Sequence, residues 1–195
     1  MEIDLLTKYP KTKRDPSQRA EAKTEEHHRI ARLFEKDFFD GDRSTGYGGY
    51  RYMPQYFKGV VSAFISHYTL QVPDIYVRGI DVSQWATSQG HPKVKDKLSV
   101  ANAKDLSMFN DNEFDLVVSI NTIHNLNKSD CILALKELER VGKNCFLTVD
   151  AWDTNEEEKR MRDWNLTAQT MMSVKDWKIF FTSNDYTGDY FWFIP

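Results

Sequence analysis

The chain has 195 residues, which is enough for one domain with a sizeable hydrophobic core. Hydrophobic residues make up 41% and charged residues 28%, so the composition excludes a largely disordered protein. The formal net charge of -3 argues against a nucleic-acid binder that works through bulk charge. The N-terminus has no apolar signal-peptide core, and no apolar run approaches the about 18 residues of a membrane span. These features predict a cytoplasmic protein with no membrane contact.

Residues 1–58 predict an N-terminal helix followed by a lid-like loop. A helix is expected from Ser17, because apolar residues recur at helical spacing at Ile30, Leu33, Phe34 and Phe38. The turn-rich stretch "FFDGDRSTGYGGYRYMP" then predicts a loop. Its tyrosines alternate with glycines, which suits a mobile lid over a ligand. A loop that packs its tyrosines on its own domain is an equal alternative.

Residues 59–195 predict an α/β core in one compact domain with the N-terminal segment. A helix follows the loop, with Val60, Val61, Phe64, Ile65 and Tyr68 on one face. The later strands are predicted at "IYVRGIDV", "KLSVANA", "FDLVVSI", "NCFLTVDAW" and "YFWFI". Helices are predicted at "SQWATSQ", "SDCILALKELERVG", "TNEEEKRMRDWNLTAQTM" and "SVKDWKIFF". Alternating strands and helices predict a Rossmann-like, doubly wound, mostly parallel sheet, and the last strand is a candidate antiparallel edge.

Details of this pattern add expectations about burial and helix ends. The apolar run in "FDLVVSI" predicts a strand that is buried on both faces. Ser83 and Ser129 are the expected N-caps of the helices that follow them. Gly142 is expected to end the second of these helices.

Polar side chains follow the predicted strands at the points where a doubly wound sheet binds ligands. They are Asp81, Asn102, Asp105, Asn121, Thr122, His124, Asn125, Asp150 and Asp153, with Trp152 among them. Asp81 can accept both hydroxyls of an adenosine ribose, or it can be an ordinary acid at a helix N-terminus. His124 can be a general base, or a polar loop histidine without a catalytic task. The adjacent His27 and His28 lack the spacing of a helical metal pair, so no metal site is predicted.

Several stretches of the chain resemble class I S-adenosylmethionine-dependent methyltransferases of the small-molecule, type-11-like group. They are "FFDGDRSTGYGGYRY", "VRGIDVSQWA", "FDLVVSINTIHNL", "ALKELERVGK", "MRDWNLTAQTMMSVKDWKIFF" and "YTGDYFWFIP". The resemblance implies a Rossmann-like fold, S-adenosyl-L-methionine as cofactor and a small-molecule acceptor.

The same resemblance implies a set of site residues. The implied cofactor-binding residues are Asp81 and Val82 at the ribose, Asn102 and Ala103 near the adenine, and Asn121 and Thr122 near the methyl donor. Implied lid residues that border the cofactor and the acceptor are Tyr47, Tyr50, Arg51 and Tyr52. His124, Asp150 and Asp153 would deprotonate or orient the acceptor.

The stretch "HYTLQVPDIYVRGIDVS" departs from that family. Members carry a strand, a glycine-rich D-x-G-x-G-like loop and a helix before the strand that matches "GIDVS". Residues 68–74 can span at most about 25 Å, whereas a strand and helix with their crossover need more than about ten residues. The first βα unit is therefore expected to be absent, so that the cofactor binds weakly or not at all. A second copy of the chain in a homodimer, or the N-terminal "EIDLL", would then fill the gap in the sheet.

Three hypotheses follow from the sequence. The first is a methyltransferase, or a descendant of one, that acts on a small molecule. The second is a catalytically inactive, methyltransferase-like binding or assembly module. The third, a nicotinamide oxidoreductase, rests on the alternating strands and Asp81 alone, and it would need a glycine loop as well.

Overall fold

The computed structural model of the protein describes residues 1–10, 16–72 and 75–194. The strands are β1 (Gly79–Asp81), β2 (Leu98–Val100), β3 (Val117–Ile120), β4 (Cys145–Asp150) and β5 (Asp189–Phe193). The helices are α1 (Ser17–Ala22), α2 (Glu25–Ala31), α3 (Lys36–Phe39), α4 (Lys58–Tyr68), α5 (Gln84–Ser88), α6 (Lys128–Val141), α7 (Asn155–Trp164) and α8 (Val174–Ser183). Short 3-10 helices cover Pro54–Tyr56, Lys95–Lys97 and Ile123–Asn125.

The strands form two separate parallel sheets, which confirms the predicted α/β class. One sheet pairs β1 with β2, and the other has the order β3-β4-β5. The candidate antiparallel edge is wrong, because β5 runs parallel to β4. The helices α7 and α8 lie between these two strands in the chain and carry it back to the same end of the sheet, as a parallel pair requires.

Helices cover both faces of the three-stranded sheet. All six residues of β4 are buried. On one face Leu147 and Val149 join a core cluster with side chains from α6 and α8, including Leu135 and Trp177. On the other face Phe146 packs with the helix α4, and its ring centre lies 5.1 Å from that of Phe64.

The strand β3 differs from its prediction, because it is not buried on both faces. Val118 is 42% exposed and Ile120 is 37% exposed. The backbone N–H groups of Val117 and Asn121 point toward β4, where they donate to carbonyls. Alternate residues of a parallel strand bond to opposite sides, so the N–H groups of Val118 and Ile120 face the other edge. No strand of the described residues pairs with that edge.

The N-terminal segment does not lie at the open edge of β3. The expectation that "EIDLL" could fill the gap is wrong, because Glu2 forms a parallel bridge to Tyr190 at the opposite edge, on β5. Residues 69–72 and 75–78 contain no helix or strand, and Pro73 and Asp74 lie outside the described residues. The predicted strand "IYVRGIDV" is therefore shortened to β1.

Several helix boundaries also differ from their predictions. The single helix expected from Ser17 is three short ones, since Lys23 is extended, Thr24 starts α2 with a capping box, and Phe34 has a left-handed φ of 52°. The helix α7 ends at Trp164, well before the predicted end in "AQTM". The predicted caps divide: Ser83 caps α5, whereas Asn127 rather than Ser129 caps α6. Gly142 does follow α6.

The segment from α1 to α3 contacts both halves of the molecule. The Lys23 ammonium donates to the Asn165 carbonyl at 3.1 Å, and the His28 ring lies 2.7 Å from the Leu166 carbonyl, beside α7. At its other end the Trp85 indole of α5 donates to the Asp40 carboxylate at 3.0 Å. The segment thus links the surroundings of β4 to those of β1.

Candidate functional site

Asp81 is the last residue of β1, and only one of its two carboxylate oxygens is hydrogen-bonded within the described residues. Its Oδ1 accepts the backbone N–H of Ser83 at 2.8 Å, and the buried Ser83 hydroxyl in turn caps α5. The Oδ2 has no hydrogen-bond partner among the described residues. Burial raises the pKa of Asp81, the Ser83 N–H opposes this, and the nearby Glu35 adds to it. The carboxylate is therefore both a helix-start acid and a desolvated acceptor with room for a further donor.

The residues after β2 form a compact turn. The Asn102 side chain accepts the Lys104 N–H at 3.2 Å, and Ala103 is buried between them. The Lys104 ammonium is paired with Asp130 of α6 at 2.8 Å, so it is held away from β1. Val82, in contrast, is 43% exposed beside Asp81. The residues that the resemblance places near an adenine ring are thus a buried alanine and an asparagine whose side-chain oxygen bonds within its own turn.

The turn after β3 is fixed by the neighbouring strand. Asn121 has a left-handed φ of 50°, and its N–H donates to the Thr148 carbonyl and hydroxyl. The Thr148 hydroxyl donates to the Asn121 side-chain oxygen at 2.7 Å. The Thr122 hydroxyl donates back to Ile120 at 3.1 Å. Among the described residues, the side-chain nitrogen of Asn121 is therefore the group of this turn that has no hydrogen-bond partner.

A buried cluster joins His124 and Asp150, two of the predicted site residues. His124 Nε2 lies 3.3 Å from Asp150 Oδ2, and the Asp150 backbone N–H donates to His124 Nδ1 at 3.3 Å. His124 is 2% exposed and Asp150 is 4% exposed, so both side chains are buried. The fully buried Trp177 indole donates to the Asp150 carbonyl at 2.9 Å. The pair is therefore held in one geometry.

Asn165 completes this cluster and is absent from the sequence-based site. Its side-chain nitrogen donates to Asp150 Oδ2, while its oxygen accepts the N–H groups of Thr167 and Ala168. No motif or periodicity marks this residue, which follows the end of α7 in "WNLTAQT". The sequence prediction extended α7 past Asn165 into "AQTM", so it treated this residue as part of the helix. In the structure the helix ends at Trp164, which leaves Asn165 free to turn toward Asp150.

Burial sets the protonation of the cluster. Desolvation lowers the pKa of His124 below its usual range, while the Asp150 carboxylate opposes this. Desolvation raises the pKa of Asp150, while His124 and the Asn165 amide oppose this. Both shifts favour neutral side chains, because a buried charge is costly.

Asp153 and the tyrosines lie in a more open setting. Asp153 is exposed, and its backbone N–H donates to Glu157 at 2.9 Å. Tyr50 and Tyr52 are 60% and 64% exposed, and the Tyr52 ring lies 5.1 Å from His91. The neighbouring Arg51 is exposed as well. The predicted acids and lid residues are thus not gathered into one closed pocket.

Tyr47 packs among the aromatic rings of its own segment, including Phe39 and Tyr50. Its ring stacks on Phe39 at 6.0 Å, and the residue is 48% exposed. Burial of part of the side chain raises the pKa of Tyr47, and so, to smaller degrees, do the neighbouring Tyr50 and the carboxylates Asp150 and Asp81. These effects all favour the neutral phenol of Tyr47.

Comparison with known proteins assigns this region to a family. The family model described as a methyltransferase domain matches residues 58–145, which run from α4 to the start of β4. Over these residues the chain is therefore similar to class I S-adenosylmethionine-dependent methyltransferases. No curated protein and no solved structure matches the chain.

The described part of the chain shows neither a membrane-spanning helix nor a cluster of metal-binding side chains. None of the helices in residues 1–10, 16–72 and 75–194 has the length and apolar character needed to cross a membrane. Within the same ranges, His, Cys, Asp and Glu side chains form no group of three or more that could hold a metal ion.

The residues present fit one half of S-adenosylmethionine. The free, desolvated oxygen of Asp81 suits a ribose hydroxyl, since a buried acceptor gains from a donor. The segment before β1, residues 69–78, contains no glycine. Close backbone approach to a ligand depends on such glycines.

Proposed function

We propose that the chain is a descendant of a small-molecule methyltransferase that retains the ribose end of the cofactor site and has lost its glycine-rich loop. The observation that carries the proposal is the split sheet: β1-β2 and β3-β4-β5 are separate, and the described residues between α4 and β1 hold no strand or helix. The family match on both sides of this point supports a common origin.

In this proposal Asp81 accepts the ribose hydroxyls through its free oxygen, beside the exposed Val82. Asn102 and Ala103 border the adenine, and Asn121 offers its free amide nitrogen, with Thr122 beside it. Tyr47, Tyr50, Arg51 and Tyr52 form a partial cover over the cofactor and the acceptor. In the same proposal, residues 1–58 form the N-terminal segment with the lid, and residues 59–195 form the methyltransferase-like core.

The proposed acceptor side uses His124, Asp150 and Asp153. The low exposure of the first two suits an orienting role, because their ring and carboxyl groups already bond each other. The exposed Asp153 is the member that can meet an acceptor directly. The bound cofactor would supply the methyl group, but in-line transfer needs donor and nucleophile fixed at short range. Without a cradle for the methionine half, weak binding would also lower the rate.

The alternative function is an inactive, methyltransferase-like binding or assembly module. Two observations support the inactive module. The segment before β1 lacks glycine, and one edge of β3 is unpaired within the described residues. The two functions differ in whether any adenosine site remains at Asp81.

Ligand-observed NMR with S-adenosylhomocysteine at millimolar concentration separates them, because saturation transfer detects weak complexes. We expect transfer to the adenosine protons with the wild-type chain and its loss in Asp81→Ala. The matched control is Asp96→Ala, an exposed carboxylate that lies before β2. Equal transfer in both variants would place the ligand elsewhere, and no transfer to the wild-type chain would favour the inactive module.

A further inference from the structure

Residues 17–32, which comprise α1, α2 and the residues beside them, form a strap that contacts the end of α7. The Lys23 ammonium, between the two helices of the strap, donates to the carbonyls of Arg162, Asp163 and Asn165. Arg162 and Asp163 belong to the last turn of α7, where carbonyls have no partner within the helix. A cation at this end also opposes the negative end of the helix dipole. Lys23 therefore stabilises the point at which α7 ends.

The strap also contacts the loop 165–170, which follows α7. His28 Nδ1 lies 2.7 Å from the Leu166 carbonyl oxygen. The Arg32 guanidinium, at the end of α2, donates to the Ala168 carbonyl at 3.5 Å. The strap therefore holds the backbone of this loop as well as the end of the helix before it.

The same loop bonds both members of the buried pair of His124 and Asp150. The Asn165 side-chain nitrogen donates to Asp150 Oδ2 at 2.5 Å, and that oxygen lies 3.3 Å from His124 Nε2. The backbone N–H groups of Gln169 and Thr170 donate to the His124 carbonyl at 3.0 Å. A shift of the loop therefore changes the surroundings of the carboxylate and of the ring at the same time.

The strap is less firmly anchored than the sheet. Of the described side chains of α2, only that of Ala31 is buried. The backbone is extended at Thr24 before this helix and left-handed at Phe34 after it, so the helix is bounded by two changes of direction. Segments with few buried apolar contacts open more readily than the core, to which β4 belongs on both faces. The strap can therefore leave the loop while the sheet stays folded.

We propose that Lys23 is a positioning residue for the pair of His124 and Asp150, and that the strap acts as a latch on the loop that bonds this pair. With the strap attached, Asn165 holds the Asp150 carboxylate beside the ring. With the strap detached, the loop moves, Asn165 releases the carboxylate, and water or an acceptor reaches the pair. The catalytic meaning of the latch rests on the function proposed above, whereas the coupling belongs to the chain without any ligand.

NMR titration of the His124 ring in Lys23→Met tests the coupling. Methionine keeps an apolar stem in place of the lysine stem and removes the ammonium. Burial lowers the pKa of His124 in the wild-type chain. We expect this pKa to rise toward the usual 6.5 in Lys23→Met, because water that reaches the ring reduces the cost of its charge. Lys23→Arg, which restores a cationic donor, should bring the pKa back to the wild-type value.

Lys159→Met is the matched control. Lys159 lies on the same helix α7, but its ammonium pairs with the Asp163 carboxylate rather than with the last carbonyls. This variant should leave the pKa of His124 unchanged. An unchanged pKa in Lys23→Met, or an equal rise in Lys159→Met, would overturn the proposal.

Native-state amide exchange of the wild-type chain gives a second test that needs no variant. The backbone N–H groups of Thr167 and Ala168 donate to the Asn165 side-chain oxygen. We expect them to be protected to the same degree as those of α2, and to exchange at least about tenfold faster than those of β4. A loop as protected as β4, or one that opens separately from α2, would also overturn the proposal. Neither test involves S-adenosylhomocysteine, so a failure of the proposed cofactor site would leave both results unchanged.

Discussion

His124 shows how a single buried residue makes stability depend on pH. Burial lowers the pKa of His124 in the folded protein. Just below the usual pKa of 6.5, the ring is therefore protonated in the unfolded chain but still neutral in the folded protein. The stability contribution of the neutral ring is therefore fully present above that value and is lost as the pH falls through the window below it. Asp150 acts in the opposite direction, because its raised pKa favours the folded state at lower pH.

We expect the free energy of unfolding to fall by up to about 1 kcal/mol between pH 7 and pH 5.5 through His124, the limit set by one proton taken up by the unfolded chain. His124→Gln should remove this part of the pH dependence, whatever its effect at pH 7. Urea unfolding at the two pH values measures the difference. His91→Gln, at an exposed histidine, should keep the wild-type slope. An unchanged slope in His124→Gln would show that the ring is not kept neutral by burial.

At the scale of elements, the start of α6 shows how local chemistry selects between neighbouring caps. The Asn127 side-chain oxygen accepts the Asp130 N–H at 2.9 Å and the Ser129 hydroxyl at 2.6 Å. Both residues are favourable cap types. Asn127 occupies the extended position before the first helical residue, and Ser129 is already inside the first turn.

Asn127→Ala should therefore destabilise the protein by about 1 kcal/mol, the usual cost of a lost N-cap. Ser129→Ala should cost less than about 0.5 kcal/mol, as for most surface substitutions. Chemical denaturation of the two variants beside the wild type provides the comparison. The reverse order would mean that Ser129, the cap that the sequence suggested, is the one that starts the helix.

The sequence predicted the elements whose apolar pattern is complete within one segment. The strand β4 and the helix α6 are examples, since "NCFLTVDAW" and "SDCILALKELERVG" each carry their apolar pattern within one segment. The exposure of Val118 and the role of Asn165 were missed, because each depends on which distant segment lies beside it. The sequence did place His124 and Asp150 at the same end of the sheet, but not in direct contact.

For the whole molecule, the open edge of β3 has consequences for assembly. The edge carries the uncharged run Val117–Ile120, with Val118 and Ile120 exposed, and it has no lysine, proline or bulge to block pairing. We propose that a strand of a second copy covers it, so that the chain forms a homodimer.

Sedimentation velocity from micromolar to about 100 µM, a range in which moderate dimers with affinities near 10 µM associate, should show growing dimer. Val118→Lys should reduce dimer formation, because an edge lysine opposes strand pairing. Leu133→Lys, at a similarly exposed residue of α6, should not. A monomer throughout this range would exclude the second copy as the partner of β3.

The central claim for the molecule is that the split sheet leaves a damaged cofactor site, and titration calorimetry with S-adenosylhomocysteine tests it most directly. We predict a dissociation constant above about 100 µM, or no measurable heat, because the methionine half has no cradle. Submicromolar binding to the wild-type chain that is lost in Asp81→Ala would contradict the account, since it would mean that the two sheets still hold the whole cofactor.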